Sequence, residues 1–324
     1  SSVVFRAQSL FSEKAFGEND TRGRDMLCSL SADTSDGEPV RFPDDPDDEA
    51  LFSYMDMVTA DAVYSAVKRK HSADKIYIAD IMNVMTGRSG SYITPSRADM
   101  LWKSITRLAL TRISIKYKKG GTVEAGPLLP LPEEVRAALR ERYGRYLNDG
   151  AGKLLPYLTE DIPGIEKVRT NYITLAEDMP LFRYAEGLKQ IREYPMGLAA
   201  VPGLKDSRHF IMIKHFLIKR LELIRYNYSG SGRKFKSLNN IVFPDISYSG
   251  TGTGLYARIG WGMTGAYTKR DNTTRQRERD RSSAAYKKVS AVLEYYQKIG
   301  YIHGFVPYYG TDYNGQTIPV SQKS

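Results

Sequence analysis

Cysteine is almost missing: Cys28 stands alone among 324 residues. An intrachain disulfide and a cysteine-built zinc cage are therefore excluded, and a reducing, cytoplasmic setting is expected. Long apolar runs are missing as well. No stretch approaches the roughly 18 residues a membrane helix needs, and the opening SSVVFRAQSLF has no convincing signal-peptide pattern, so no membrane partner is expected. Histidine is scarce: His71, His209, His215 and His303 are scattered, and no pair has the HxH or HExxH spacing of metal sites and metal-dependent nickases. GAGKL near Gly152 and GSGRK near Gly230 lack the first glycine of a phosphate loop, and no GxSxG elbow occurs. The expectation is a protein that is not an enzyme and holds no metal or cofactor.

What is present is positive charge. Lys and Arg total 47 against 37 Asp and Glu, a formal net charge of +10. Such a balance attracts polyanions at long range without specifying a fold, and double-stranded DNA is the first partner to consider. The apolar fraction of 41%, with 23 Tyr and 11 Phe, supplies material for a folded core. The length suits about two domains.

Residues 31–50, SADTSDGEPVRFPDDPDDEA, combine turn formers with Asp44, Asp45, Asp47, Asp48 and Glu49. Low hydrophobicity and self-repulsion make this a solvated acidic arm rather than a metal site, and residues 1–50 are expected to be an amino-terminal arm, partly flexible. From Met57, MVTADAVYSAVKRK reads as a helix capped by a Thr, and IYIADIMNVMTG as a shorter helix stopped by Gly87. Thr94 then caps a third helix with Pro95 at its first position. Ala98, Leu101, Ile105 and Leu108 share one face of it, while Ser96, Asp99, Lys103, Thr106 and Arg107 share the other. RISIKY alternates like a half-buried strand, and KKGG supplies a tight turn. Helix, helix, helix, strand, turn, strand is the order of a winged helix, expected over residues 51–130.

Residues 131–200 are expected to be a connector with one helix around Pro132–Leu147 and short strands, VRTNYITL among them. Residues 201–324 are expected to repeat the first pattern. DSRHFIMIKHFLIKRLELIRYNY is a strong helix with Phe210, Ile213, Phe216, Leu217, Leu221 and Ile224 along one side, and SLNNIVFPDI is a short second one. SSAAYKKVSAVLEYYQKIG is a third, with Ala285, Val289, Val292, Leu293 and Tyr296 on one face, before a final hairpin. The fold class is thus expected to be α+β, with two winged-helix domains in tandem joined by a helical connector.

The candidate DNA contacts follow from this layout. In the first module they are Lys103, Arg107, Arg112, Lys116, Lys118 and Lys119, with helix side chains in the major groove and turn lysines on phosphate or the minor groove. In the second they are Arg275, Arg277, Arg279 and Arg281 of RQRERDR, followed by Lys287 and Lys288. Arginine suits phosphate because its planar fork donates two bonds, and phosphate neutralisation releases counterions. A merely solvated helix face is the plain alternative. The terminal tyrosines Tyr295, Tyr296, Tyr301, Tyr308 and Tyr309 invite a stacking role on single strands, against core packing or hairpin cross-strand pairs.

The phrases IYIADIMNVMTG, ITPSRADMLWKSITRLALTRISIKY, FLIKRLELI, SLNNIVF and AAYKKVSAVLEYYQKIGYIHGF resemble initiator-type proteins of plasmids and mobile elements from Gram-positive gut bacteria. These are similar in turn to the tandem winged-helix plasmid replication initiators. The resemblance runs over about Leu51 to Tyr309 and lies in pattern and phrase. It implies an initiator that binds repeated double-stranded origin sites, recruits host replication proteins and does not cut DNA. It also implies a first module that in such proteins often mediates homodimerisation, positioned on DNA by Lys103, Arg107, Lys118 and Lys119, while Lys287 and Lys288 would be base or phosphate readers. The acidic arm and a Gly-rich loop from Ser247 to Thr274 depart from the family pattern. A transcriptional or partition regulator, or a module engaging a host replication or defence protein, shares the same sequence features.

Overall fold

The computed structural model describes residues 26–34, 37–38, 40–42, 53–70, 73–90, 93–117, 122–149, 154, 172–187, 191, 193–229, 287–305, 308–311 and 317–319. The chain is mixed helix and sheet and divides into two compact units, Ser1–Ala200 with Asp206–Ala266, and Val201–Lys205 with Tyr267–Ser324.

In the first unit, helix α1 (Tyr54–Lys70) starts five residues before the expected Thr59. The Ser53 side chain accepts from the Asp56 N–H at 3.2 Å, and the Asp56 carboxylate accepts from the Ser53 N–H at 2.7 Å. This reciprocal pairing satisfies two amide donors that the first helical turn leaves open. Thr59 is buried inside the helix instead. Strand β2 (Ile76–Tyr77) leads directly into α2 (Ile78–Thr86), which Gly87 ends in the left-handed region at φ 74. A Cβ at Gly87 would lie 2.4 Å from the Ala200 backbone nitrogen, so glycine is required there for both conformation and approach.

Helix α3 (Pro95–Ala109) begins as the sequence indicates: Thr94 Oγ1 accepts from the Arg97 N–H at 3.3 Å, and Pro95 opens the helix. Strands β3 (Thr111–Tyr117) and β4 (Thr122–Pro127) form an antiparallel hairpin in which Ile113 faces Gly126, with an irregularity between Ile115 and Lys116. Ile113 and Ile115 are buried. Three helices therefore precede the hairpin, with the short strand β2 set between the first two.

The amino-terminal arm is not all arm. Strand β1 (Met26–Ala32) pairs antiparallel with β3 along its whole length, from Met26 opposite Tyr117 to Ala32 opposite Thr111. That makes β3 the central strand of the order β1-β3-β4. Val40 and Phe42 are core residues. Phe42 packs its ring against Tyr143 and Tyr146, at 5.5 and 5.6 Å between centroids, on helix α4 (Glu133–Asn148). The Tyr143 hydroxyl accepts from the Arg41 N–H and donates to the Arg41 carbonyl. Two apolar side chains are enough to anchor residues 40–42. The run from residue 43 to 52 lies outside the described residues.

The expected connector contributes to the same unit. Strand β5 (Tyr172–Ile173) pairs with β2. Helix α5 (Pro180–Gly187) joins β4 through Arg183, whose guanidinium donates to both oxygens of Glu124. Helix α6 (Arg208–Ser229) packs against α1, α2 and the 3-10 turn Met196–Ala199. The sequence reading puts this helix at the head of a second module. Its face Phe210, Ile213, Phe216 and Leu217 is buried as expected, and its partners lie in the first unit, which takes in Asp206–Ala266.

The second unit has, among its described residues, a helix α7 over 287–298 and a hairpin of β6 (Tyr308–Thr311) and β7 (Thr317–Pro319). Val289, Val292, Leu293 and Tyr296 form the buried face of α7. Gly300, at φ 72, follows the helix end. Tyr296 is fully buried and meets the Tyr301 ring edge-on at 5.2 Å, which is core packing and not a stacking platform. SLNNIVFPDI, the Gly-rich loop and residues 312–315 of the expected GTDYNG turn lie outside the described residues.

Candidate nucleic-acid interface

The expected basic face of α3 is turned inward. Lys103 and Arg107 are 6% and 1% exposed. Arg107 pairs with Asp56 at 2.8 Å, donates to the Val40 carbonyl at 3.3 Å and sits 5.1 Å from the Phe42 ring centroid. Lys103 pairs with Asp99 one turn earlier at 3.2 Å, and its ammonium lies 5.6 and 5.8 Å from the Phe42 and Tyr146 rings. Charge neutralisation and cation–π attraction make such burial tolerable. The physical reason is a second layer. A helical-wheel argument assumes one packed side, whereas α3 is covered by α1 on one side and by residues 40–42 with α4 on the other. Every residue from Leu101 to Thr111 is buried. Lys103 and Arg107 are therefore core cations and do not offer a surface to a DNA groove.

The other expected contacts fall differently. Arg112 is exposed at the start of β3. Lys116 stands in β3 opposite Leu27 and Thr122. Lys118, Lys119, Arg275, Arg277, Arg279 and Arg281 lie outside the described residues. On α7, Lys287 is exposed and Lys288 half-buried, with desolvation pushing the Lys288 ammonium pKa down. The structure brings Lys287 and Lys288 together on one helix turn of the second unit.

Two groups of buried charge on α6 escape a reading based on apolar periodicity. Lys219 pairs with Asp61 of α1, both buried. One turn earlier, Lys214 donates to Asp206 Oδ1 at 2.6 Å, to the Ala199 carbonyl at 2.6 Å and to the Thr86 carbonyl at 3.4 Å. Asp206 also holds two arginines. Arg88 Nε stands 3.8 Å from its Oδ2, and Arg97 donates from Nη2 to its backbone carbonyl at 3.0 Å. Burial lowers the Lys214 pKa, the hydrogen bond and charge of Asp206 oppose this, and the charges of Arg88 and Arg97 lower it further. The signal available in the sequence was a lysine pair, Lys214 and Lys219, inside a run that is otherwise apolar: buried lysines need partners.

Between the two lysines lies His215. Its Nε2 donates to the Met85 carbonyl at 2.9 Å, and its Nδ1 accepts from the Tyr194 hydroxyl at 3.1 Å. A carbonyl can only accept, which fixes the neutral tautomer. Burial, with Lys219 nearby, lowers its pKa from 6.5 to about 3.

Among the described residues, no group of three or more His, Cys, Asp or Glu side chains is placed to hold a metal ion, and no helix is long and apolar enough to cross a membrane. No protein-family model, curated protein or solved structure matches this chain.

Proposed function

We propose that the protein is a sequence-specific double-stranded DNA-binding protein, a replication initiator of a plasmid or mobile element that recruits host replication proteins. The first unit acts as a winged-helix module and the second, smaller unit as a further DNA-contacting module. The observation that supports this reading is the order α1, β2, α2, α3, β3, β4 on a chain of net charge +10. Contacts come from Arg112 and Lys116 of the hairpin, Lys118 and Lys119 of its turn, the arginine run Arg275 to Arg281, and Lys287 and Lys288. Lys103 and Arg107 stand outside the contact set because both are committed to internal partners.

The test is retention of a random pool of duplex DNA at two salt concentrations, with the retained fraction sequenced. One enriched motif, weakened when Lys287 and Lys288 are both changed to Ala, is the expected result. No retention even at low salt overturns the reading. Replication of a plasmid that carries the enriched motif, and depends on this chain, separates an initiator from a regulator.

A further inference from the structure

Strands β2 and β5 set Ile76 opposite Ile173 and Tyr77 opposite Tyr172. Side chains alternate across a strand, so the isoleucines enter the core and the tyrosines share the other face. Tyr77 is 41% exposed and Tyr172 half-buried. Their rings meet edge-on with centroids 6.0 Å apart. The pair is held beyond its own ladder: the Leu175 N–H donates to the Ala73 carbonyl at 3.1 Å, and the Thr174 hydroxyl donates to the Asp74 carbonyl at 2.6 Å.

Each ring carries a lysine. The Lys70 ammonium lies 4.4 Å from the Tyr77 centroid, and the ammonium of the exposed Lys75 lies 4.8 Å from that of Tyr172. Cation–π contacts at exposed sites are weaker than the stacking of a nucleobase on an aromatic ring, and a surface ion pair such as Lys70 with Asp80 adds little. An arriving base therefore displaces the ammonium from the ring. Charge alone does not select the ligand here, because Lys68 pairs with Glu186 and Lys70 with Asp80; the rings do. A duplex keeps its base faces inside the stack, and lysine is depleted at the protein–protein interfaces that tyrosine favours. An unpaired strand offers a π face to each tyrosine and a phosphate to each lysine.

We infer that Tyr77 and Tyr172, with Lys70 and Lys75, form a contact site for unpaired nucleic acid on the first unit: bases stack on the two rings, and the lysines move from the rings to the adjoining phosphates. None of these residues belongs to the duplex contact set, so the inference stands or falls without that reading.

Binding of a fluorescein-labelled oligothymidylate to the full chain is followed by anisotropy across a salt series, beside an abasic strand of the same length. The proteins are the wild type, Tyr77→Leu, Tyr77→Phe, Lys75→Gln and the exposed control Lys205→Gln. The Tyr77 side chain makes no capping bond to α2, so its replacement leaves the helix start intact. Tyr77→Leu is expected to weaken oligothymidylate binding about fivefold or more without affecting the abasic strand, while Tyr77→Phe keeps the wild-type affinity. Lys75→Gln is expected to reduce the steepness of log K against log salt by about 0.7, and Lys205→Gln leaves binding unchanged. Equal binding by the wild type and Tyr77→Leu overturns the site, whether the tyrosines only hold β2 to β5 or serve a protein partner. Equal wild-type affinity for the oligothymidylate and the abasic strand overturns it too, since phosphate then accounts for all the binding; this comparison decides if Tyr77→Leu does not fold. Absence of oligothymidylate binding at low salt also overturns it, and retention of duplex DNA by the same protein then leaves the duplex reading standing.

Discussion

Helices α3 and α7 read almost alike as sequence, each with one apolar face and a pair of basic residues off it, yet they meet opposite fates. On α7, Val289, Val292, Leu293 and Tyr296 are buried and Lys287 stays exposed. On α3 the apolar face is buried and so are Lys103 and Arg107. The difference lies in residues far from either helix: Phe42, Tyr143 and Tyr146 close over the second side of α3. A basic residue on a helix is a candidate contact only when no other segment returns to cover it, and each cation that is covered acquires a carboxylate, Asp56 for Arg107 and Asp99 for Lys103.

The contrast can be broken most directly at Arg107. Arg107→Ala leaves Asp56 buried without its cation and is expected to lower unfolding stability by about 3–5 kcal/mol, measured by urea denaturation; a loss under about 1 kcal/mol would return Arg107 to the surface. Phe42→Ala, which strips the lid from both cations, is expected to cost about 3–5 kcal/mol. Were residues 40–42 only a loose arm, the same denaturation curve would not move. Gly87→Ala forces a left-handed alanine against Ala200 and should cost at least about 1–3 kcal/mol from the backbone alone, read as a drop in thermal midpoint.

His215 tests the buried side by pH. Its folded pKa of about 3 lies below the ordinary 6.5, so between these values the unfolded chain binds the proton that the folded chain refuses. The neutral histidine therefore contributes stability that is full above 6.5 and is lost as pH falls toward 3, with a slope of up to ~1.4 kcal/mol per pH unit. Stability curves of His215→Gln against pH are expected to lack that slope; an unchanged acid limb refutes the buried neutral histidine. The smallest effect belongs to the exposed side: Lys287→Ala should change stability by less than about 0.5 kcal/mol while weakening duplex binding and flattening its salt dependence.

Local chemistry was legible in the sequence. Thr94 and Pro95 start α3, Gly87 ends α2, the alternation of Ile113 and Ile115 makes a half-buried strand, and the apolar stripe of α7 is its core face. Each of these is decided within one turn or one strand pair. Partners distant in sequence were not legible. Nothing in MLCSLSA announces that it pairs with TRISIKY, and the apolar stripe of α6 says that it is buried without saying against what. The buried pairs of Lys214 and Lys219 with Asp206 and Asp61 likewise join residues that periodicity treats independently. The flank of α3 was lost to the candidate site for the same reason, since which cations remain outside is a tertiary outcome.

The central position of β3 also has a consequence for how the chain is made. During synthesis Met26–Ala32 leaves the ribosome first, and its only described strand partner, Thr111–Tyr117, emerges after three helices have been built. Closing that long loop is entropically slow, so the early strand waits as an unpaired edge, a state prone to pairing with other chains. A chain shortened to begin at Leu51 would make that condition permanent on the other side, leaving β3 with one bare edge, and is expected to aggregate where the full chain folds.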